Sequence, residues 1–115
     1  MKNIELLLFK KTIEIINYIA TGKYEKLSNV GCLELFTKRD IVSALEEYGG
    51  AVSVVDENYN GRFRFVQSND EKTFITFADL IIDNEVSDLT LICEMRLSND
   101  MKKIENAIIE DLHVL

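Results

Sequence analysis

The sequence predicts an α+β domain in which about three N-terminal helices pack on a curved antiparallel sheet of about five strands. Two observations predict this class. Apolar residues recur at three- and four-residue steps over residues 1–50, and mostly at two-residue steps after that. The chain also has 115 residues, 47% of them hydrophobic, with no proline and no linker or repeat. We therefore expect one domain over residues 1–115.

Three helices are predicted in the first half of the chain. The first runs from Ile4 to Ala20, and its apolar stripe is wide enough to pack across a sheet (Ile4, Leu7, Leu8, Ile15, Ile16 and Ile19). A short second helix is predicted over Lys23–Asn29. The third follows Thr37, which can form a capping box with Asp40, and it ends at the glycine pair 49–50.

The clearest strand is Asp88–Leu97. One set of its side chains is apolar (Leu89, Leu91, Cys93, Met95 and Leu97), and the alternate set is mostly polar (Thr90, Ile92, Glu94 and Arg96). Such alternation is typical of a strand with one face in a core, and we expect this strand at the centre of the sheet. Four further strands are predicted, the last of which also has a helical interpretation: Ala51–Val55, Arg62–Val66, Thr73–Ile82 and Glu105–Val114. Asn60-Gly61 predicts a hairpin turn between the first two.

The charge of the chain is negative and unevenly spread. The net charge is −7, and residues 79–115 carry nine acidic side chains against three basic ones. An acidic surface repels phosphates, so we expect no nucleic-acid partner. It attracts a basic protein and speeds their encounter, although the same charge also serves simply to keep a small domain in solution.

Nothing in the sequence predicts a membrane partner. There is no apolar run of membrane-spanning length, and the run Leu6–Phe9 is too short for a signal peptide. We therefore expect a cytoplasmic protein. Cys32 and Cys93 lie among apolar residues and form no close pair, which indicates buried free thiols.

The sequence predicts no catalytic residue, no metal and no cofactor. His113 is the only histidine, and no phosphate loop or nucleophile elbow is present. Four carboxylates could approach one another around a turn, but they do not match an EF-hand loop (Asp79, Asp83, Glu85 and Asp88). Asp79 is the best candidate for acid–base work, because alternation places it beside Ile75, Phe77 and Ile81.

Three segments carry a resemblance to known families: Ala44-Leu-Glu-Glu-Tyr-Gly-Gly50, Asp79-Leu80 followed by Ser87-Asp-Leu-Thr-Leu91, and Glu110-Asp-Leu-His-Val-Leu115. They resemble the motifs of an uncharacterised family of small bacterial domains. The order of three helices and then a curved antiparallel sheet resembles the NTF2-like (cystatin-like) cone. The resemblance implies the fold and no established activity.

Small acidic domains without an active site also resemble the immunity proteins of contact-dependent inhibition and polymorphic toxin systems, which bind a basic toxin domain, often a nuclease. We therefore expect a binding protein, monomeric or homodimeric, that is not an enzyme. The predicted partner-binding residues are Asp83, Glu85, Asp88, Glu94, Glu110 and Asp111. One alternative is an NTF2-like small-molecule binder or enzyme, with Asp79 inside the cone and the first helix as its wall. Another is an oligomerisation module in which the exposed sheet face pairs with itself.

Overall fold

The computed structural model describes residues 3–115. Three helices come first: α1 (Asn3–Ala20), α2 (Tyr24–Asn29) and α3 (Lys38–Tyr48). Four strands follow: β1 (Phe63–Gln67), β2 (Thr73–Ile82), β3 (Glu85–Leu97) and β4 (Ile104–Val114). They form one antiparallel sheet in the order β1-β2-β3-β4. The α+β class, the three helices and the interior position of residues 88–97 are confirmed. The sheet has four strands, so the prediction of about five was wrong.

The strand predicted over Ala51–Val55 is not formed. Residues 51–53 pair briefly with the end of β2, where Val52 forms an isolated bridge to Ile82 and the N–H of Ser53 donates to the carbonyl oxygen of Ile81 at 2.8 Å. The pairing does not continue because the backbone N–H of Val55 donates instead to Oδ1 of Asn17 in α1 at 2.8 Å. Asn60-Gly61 is consequently not a hairpin turn between two strands, and the hydroxyl of Tyr59 donates instead to the carbonyl oxygen of Asp79 at 2.6 Å.

The third helix begins and ends as its sequence predicts. The backbone N–H of Asp40 donates to Oγ1 of Thr37 at 3.3 Å, and the backbone N–H of Thr37 donates to Oδ2 of Asp40 at 2.9 Å. This capping box satisfies two donors that the first turn leaves free. At the other end Gly49 has φ 89°, and its N–H donates to the carbonyl oxygen of Leu45 at 2.9 Å.

One face of the sheet forms the core with the helices. The inward side chains of β3 are all at most 3% exposed (Leu89, Leu91, Cys93, Met95 and Leu97), and they pack with buried residues of the helices (Leu8, Ile15, Ile16, Ile19, Leu27 and Ile41). Both cysteines are free and buried, as expected. Burial raises the pKa of the Cys93 thiol far above its ordinary value, so this thiol is unreactive.

The opposite face of the sheet is not covered by the helices. The alternate positions of the strands carry a second apolar set that does not belong to the helix-covered core: Val66, Ile75, Phe77, Ile81, Ile92 and Ile108. Val66 is 58% exposed, whereas Ile92 is buried by its neighbours on the same face. We call this surface the open sheet face. Within residues 3–115, no helix is long and apolar enough to cross a membrane.

Two hairpin turns repeat one structure at one end of the sheet. The turns contain Ser68-Asn-Asp70 and Ser98-Asn-Asp100, and in each the serine hydroxyl donates to the aspartate, at 2.8 and 2.6 Å. The ammonium group of Lys72 donates to Oδ1 of Asn99 at 2.7 Å and so links the two turns. The β2–β3 turn lies at the other end of a molecule that is 40 Å long.

Replacing Thr37 with alanine tests the cap of α3. The change removes the side-chain oxygen that accepts from Asp40, so the free energy of unfolding should fall by about 1 kcal/mol. Urea denaturation measures this. Ser43→Ala, at an exposed position inside the same helix, is the control and should cost nothing comparable. An unchanged midpoint for Thr37→Ala would show that the cap is energetically irrelevant.

Candidate functional site

The six acidic residues predicted to bind a partner fall into two groups. Asp83, Glu85 and Asp88 lie at the β2–β3 turn, whereas Glu94, Glu110 and Asp111 lie on the open sheet face. Glu85 and Glu94 are nine residues apart on β3, which corresponds to about 30 Å along a strand. The six predicted partner-binding residues therefore form two separate surfaces.

Asp83 is fixed at the β2–β3 turn by the loop that follows α3. It has φ 50°, a left-handed conformation that aspartate tolerates better than most residues. The backbone N–H of Ala51 donates to Oδ1 of Asp83 at 3.0 Å, and the backbone N–H of Asp83 donates back to the carbonyl oxygen of Ala51 at 2.8 Å. These bonds hold the exposed carboxylate in one position.

Asp88 connects the start of β3 to the end of α3. The hydroxyl of Tyr48 donates to Oδ1 of Asp88 at 2.8 Å, and this hydrogen bond raises the pKa of the tyrosine. The last turn of α3 also carries Glu46 and Glu47, and it contains no basic residue. A helix C-terminus carries partial negative charge, so carboxylates there are unfavourable. The contact between Tyr48 and Asp88 therefore brings two acidic segments together.

We call the resulting cluster the hairpin-end acidic surface. It consists of five exposed residues: Glu46, Glu47, Asp83, Glu85 and Asp88. Glu47 and Tyr48 also line a depression of about 400 Å³ beside Leu89 and His113. Within residues 3–115, the ion pairs are Lys11–Glu14 and Asp111–His113, so no lysine or arginine there neutralises this surface.

Sequence reasoning missed Glu46 and Glu47. They lie about 40 residues before Asp88 in the chain, and only the folding of α3 against β3 brings them near it. A signal for them existed in the sequence, because two acidic residues just before the terminating glycines oppose the helix macrodipole.

On the open sheet face, the strand register orders the side chains in rows. One row crosses all four strands and runs Arg64, Phe77, Ile92, Asp111. The adjacent row runs Val66, Ile75, Glu94, Ile108. Apolar residues thus occupy the middle of the face, with a basic residue on the β1 side and carboxylates on the β3–β4 side.

A β-bulge brings two carboxylates together on this face. The register shifts between Ile92 and Cys93, which leaves Glu110 as the extra residue of β4. Burial, and then the neighbouring Glu94 carboxylate, raises the pKa of Glu110. Next to it, Oδ2 of Asp111 lies 2.8 Å from Nδ1 of His113.

Arg64 lies on the open sheet face and is only partly exposed. Its neighbour Phe63 packs on the opposite face and contacts Phe9 of α1 edge-to-face. The guanidinium of Arg64 lies 4.7 Å from the ring centroid of Phe77 on the open sheet face. Its Nη1 atom is buried and has no hydrogen-bond acceptor among residues 3–115. A buried donor without an acceptor is costly, so this side chain is incompletely satisfied.

Asp79 does not lie in the interior beside α1, and that part of the prediction was wrong. Its neighbours Ala78 and Leu80 are fully buried in the core, so alternation turns Asp79 to the open sheet face. There it accepts from Oγ1 of Thr90 at 2.7 Å. Within residues 3–115, no three His, Cys, Asp or Glu side chains are grouped closely enough to hold a metal ion.

The fold and these surfaces define a small α+β domain with helices on one face of its sheet and carboxylate-rich surfaces away from the core. A family model described as a domain of unknown function (DUF7668) matches residues 16–115, and the chain belongs to that family. Neither the curated proteins nor the solved structures gave a match.

The raised pKa of Glu110 predicts that the stability of the folded state depends on pH. Glu110 binds its proton more tightly in the folded state, so the folded state loses stability as pH rises above the ordinary carboxyl pKa of 4.5. Glu110→Gln should therefore stabilise the protein at pH 7, by about 0.5 kcal/mol after allowing for solvent screening. The gain should vanish below pH 4, roughly, where the native glutamate is also neutral.

Urea denaturation at pH 7 and at low pH measures the effect. Glu105→Gln is the control, because Glu105 is an exposed glutamate of the same strand. A gain that is the same at both pH values, or that Glu105→Gln reproduces, would contradict a specific repulsion between Glu94 and Glu110.

Proposed function

We propose that this chain is a cytoplasmic binding protein of the immunity type, which neutralises a basic toxin domain, most concretely a nuclease, without being an enzyme itself. The observation that carries the proposal is the hairpin-end acidic surface. All five of its carboxylates are exposed, and among residues 3–115 none has a lysine or arginine partner within 4.0 Å.

The electrostatics of this surface favour a basic partner. Carboxylates in the last turn of a helix face its partial negative charge, and lysines or arginines of a partner would offset that unfavourable interaction. An acidic patch also steers a basic partner into the encounter complex. Both effects weaken with salt, so the association rate of the complex should fall as ionic strength rises.

Two of the carboxylates are already held in position. Asp83 is fixed by the backbone of Ala51, and Asp88 by the hydroxyl of Tyr48. A side chain that is ordered before binding loses less conformational entropy in the complex. We therefore assign these two residues as the fixed centre of the partner site, with Glu85 as an adaptable charge beside them.

The remaining three predicted residues, Glu94, Glu110 and Asp111, lie on the open sheet face. In this proposal the hairpin end is the primary docking surface, and the sheet face contributes only if the partner wraps around the domain. A relationship to the NTF2-like cone belongs to the same proposal. It is supported by the order of three helices and an antiparallel sheet, here with four strands.

The test is co-expression with a toxin encoded next to this gene, followed by calorimetry on the purified pair. The double variant Glu85→Lys/Asp88→Lys should weaken the complex by about 3 kcal/mol, which is about a hundredfold in Kd. It should also lose protection against the toxin. The reason is that two partner cations would then meet positive charges.

The matched control carries the same change in net charge at the other end of the molecule. Glu71→Lys/Glu105→Lys alters two exposed residues near the opposite end of the sheet and should bind like the native chain. Equal weakening by both double variants would show that only net charge matters. Absence of any complex or protection with the native chain would end the proposal.

A further inference from the structure

The open sheet face carries an apolar set of side chains that the helices of the domain do not cover. Its central residues come from all four strands, whereas the helices pack on the other side (Val66, Ile75, Phe77, Ile92 and Ile108). Val66 is 58% exposed. Sheets that face water on one side normally carry polar residues there. A contiguous apolar band rimmed by charges is instead typical of an interaction surface.

Basic and acidic side chains lie on opposite edge strands of this face. Arg64 stands on β1, and its buried Nη1 has no acceptor among residues 3–115. Glu110 and Asp111 stand on β4. Strand β3 carries both signs on this face, with Glu94 and Arg96, so the complementary charges are those of the two edge strands.

The strand register tells which symmetry would bring these charges together. Consider two copies packed face to face and related by a two-fold axis that runs parallel to the strands, midway between β2 and β3. This axis places β1 of one copy opposite β4 of the other, and residues of one row remain at the same level along the strands. Arg64 and Asp111 belong to one row, so this axis places Arg64 opposite the acidic side of the second copy. An axis perpendicular to the strands would instead oppose arginine to arginine and carboxylate to carboxylate.

The same arrangement matches the apolar residues. Phe77 and Ile92 are neighbours in that row, on β2 and β3, so the axis lays Phe77 of each copy over Ile92 of the other. Face-to-face packing of two sheets at a small angle is a common architecture. A purely basic partner fits this face less well, because Arg64 would repel it.

We propose that a second copy of this chain covers the open sheet face, forming a symmetric dimer in which Arg64 of each copy binds the acidic β4 edge of the other, at Glu110 and Asp111. The contact is isologous, so it closes at two copies. This proposal does not depend on the function proposed above.

Sedimentation equilibrium at increasing concentration tests the dimer. The native chain should approach twice its 13.2 kDa. Arg64→Glu and Glu110→Arg, each alone, should raise the dissociation constant at least about tenfold, because like charges then face each other. The double variant Arg64→Glu/Glu110→Arg should recover most of the dimer, because the charges are merely exchanged.

Two control variants and one variant of the apolar surface complete the test. Arg39→Glu and Glu105→Arg reverse exposed charges outside the described rows and should leave the mass unchanged. Val66→Asp puts a charge on an exposed position of the face, so it should give a folded monomer by circular dichroism even if another variant fails to fold.

Three results would overturn the proposal. They are a native chain that stays monomeric at every concentration, a double variant as weak as the single ones, or a Val66→Asp variant that dimerises like the native chain.

Discussion

The structure depends on the fact that helices cover only one face of its sheet. Because side chains alternate along a strand, the inward set of β3 is fully buried while Glu94 and Arg96 point the other way. A register slip of one residue would put both charges into the core, so one-sided packing fixes the register strongly. The same constraint creates the open sheet face, because the apolar residues on the alternate positions have no helix above them and are covered only in part by their neighbours on that face.

Not every carboxylate of this acidic chain is available to a partner. Asp70 and Asp100 each accept from a serine hydroxyl and from backbone N–H groups of their turns, and these bonds lower the pKa of both carboxyls. Their charge is used in holding the β1–β2 and β3–β4 hairpins in register. Glu85 makes no such contact within residues 3–115 and is exposed. Net charge alone would count all of these alike, whereas Asp70 and Asp100 each accept at least two hydrogen bonds, Asp83 and Asp88 accept one each, and Glu85 accepts none within residues 3–115.

Local patterns were sufficient for most of the fold. The periodicity of Thr73–Ile82 and the capping box of Thr37 depend on near neighbours in the chain, and both were predicted correctly. The strand at Ala51–Val55 was wrong because the backbone of Val55 bonds to Asn17 of α1, a contact that no local pattern reveals. Alternation along the strand showed which side chains share a face with Asp79. It could not show which face of the sheet the helices cover. The bulge that brings Glu110 to Glu94 and the approach of α3 to Asp88 depend on tertiary contacts, which local sequence patterns do not contain.

The charges at the end of α3 are unfavourable for the helix that carries them. Lysine or arginine in the last turn would stabilise a helix by roughly 0.3–1 kcal/mol each, whereas this chain has Glu46 and Glu47 there. The hydroxyl of Tyr48 then brings Asp88 to the same place, which adds a further negative charge. The glutamates oppose the partial negative charge of the helix end, whereas the hydrogen bond from Tyr48 offsets part of the cost of bringing Asp88 there. In the function proposed above, cations of the partner would remove the remaining repulsion.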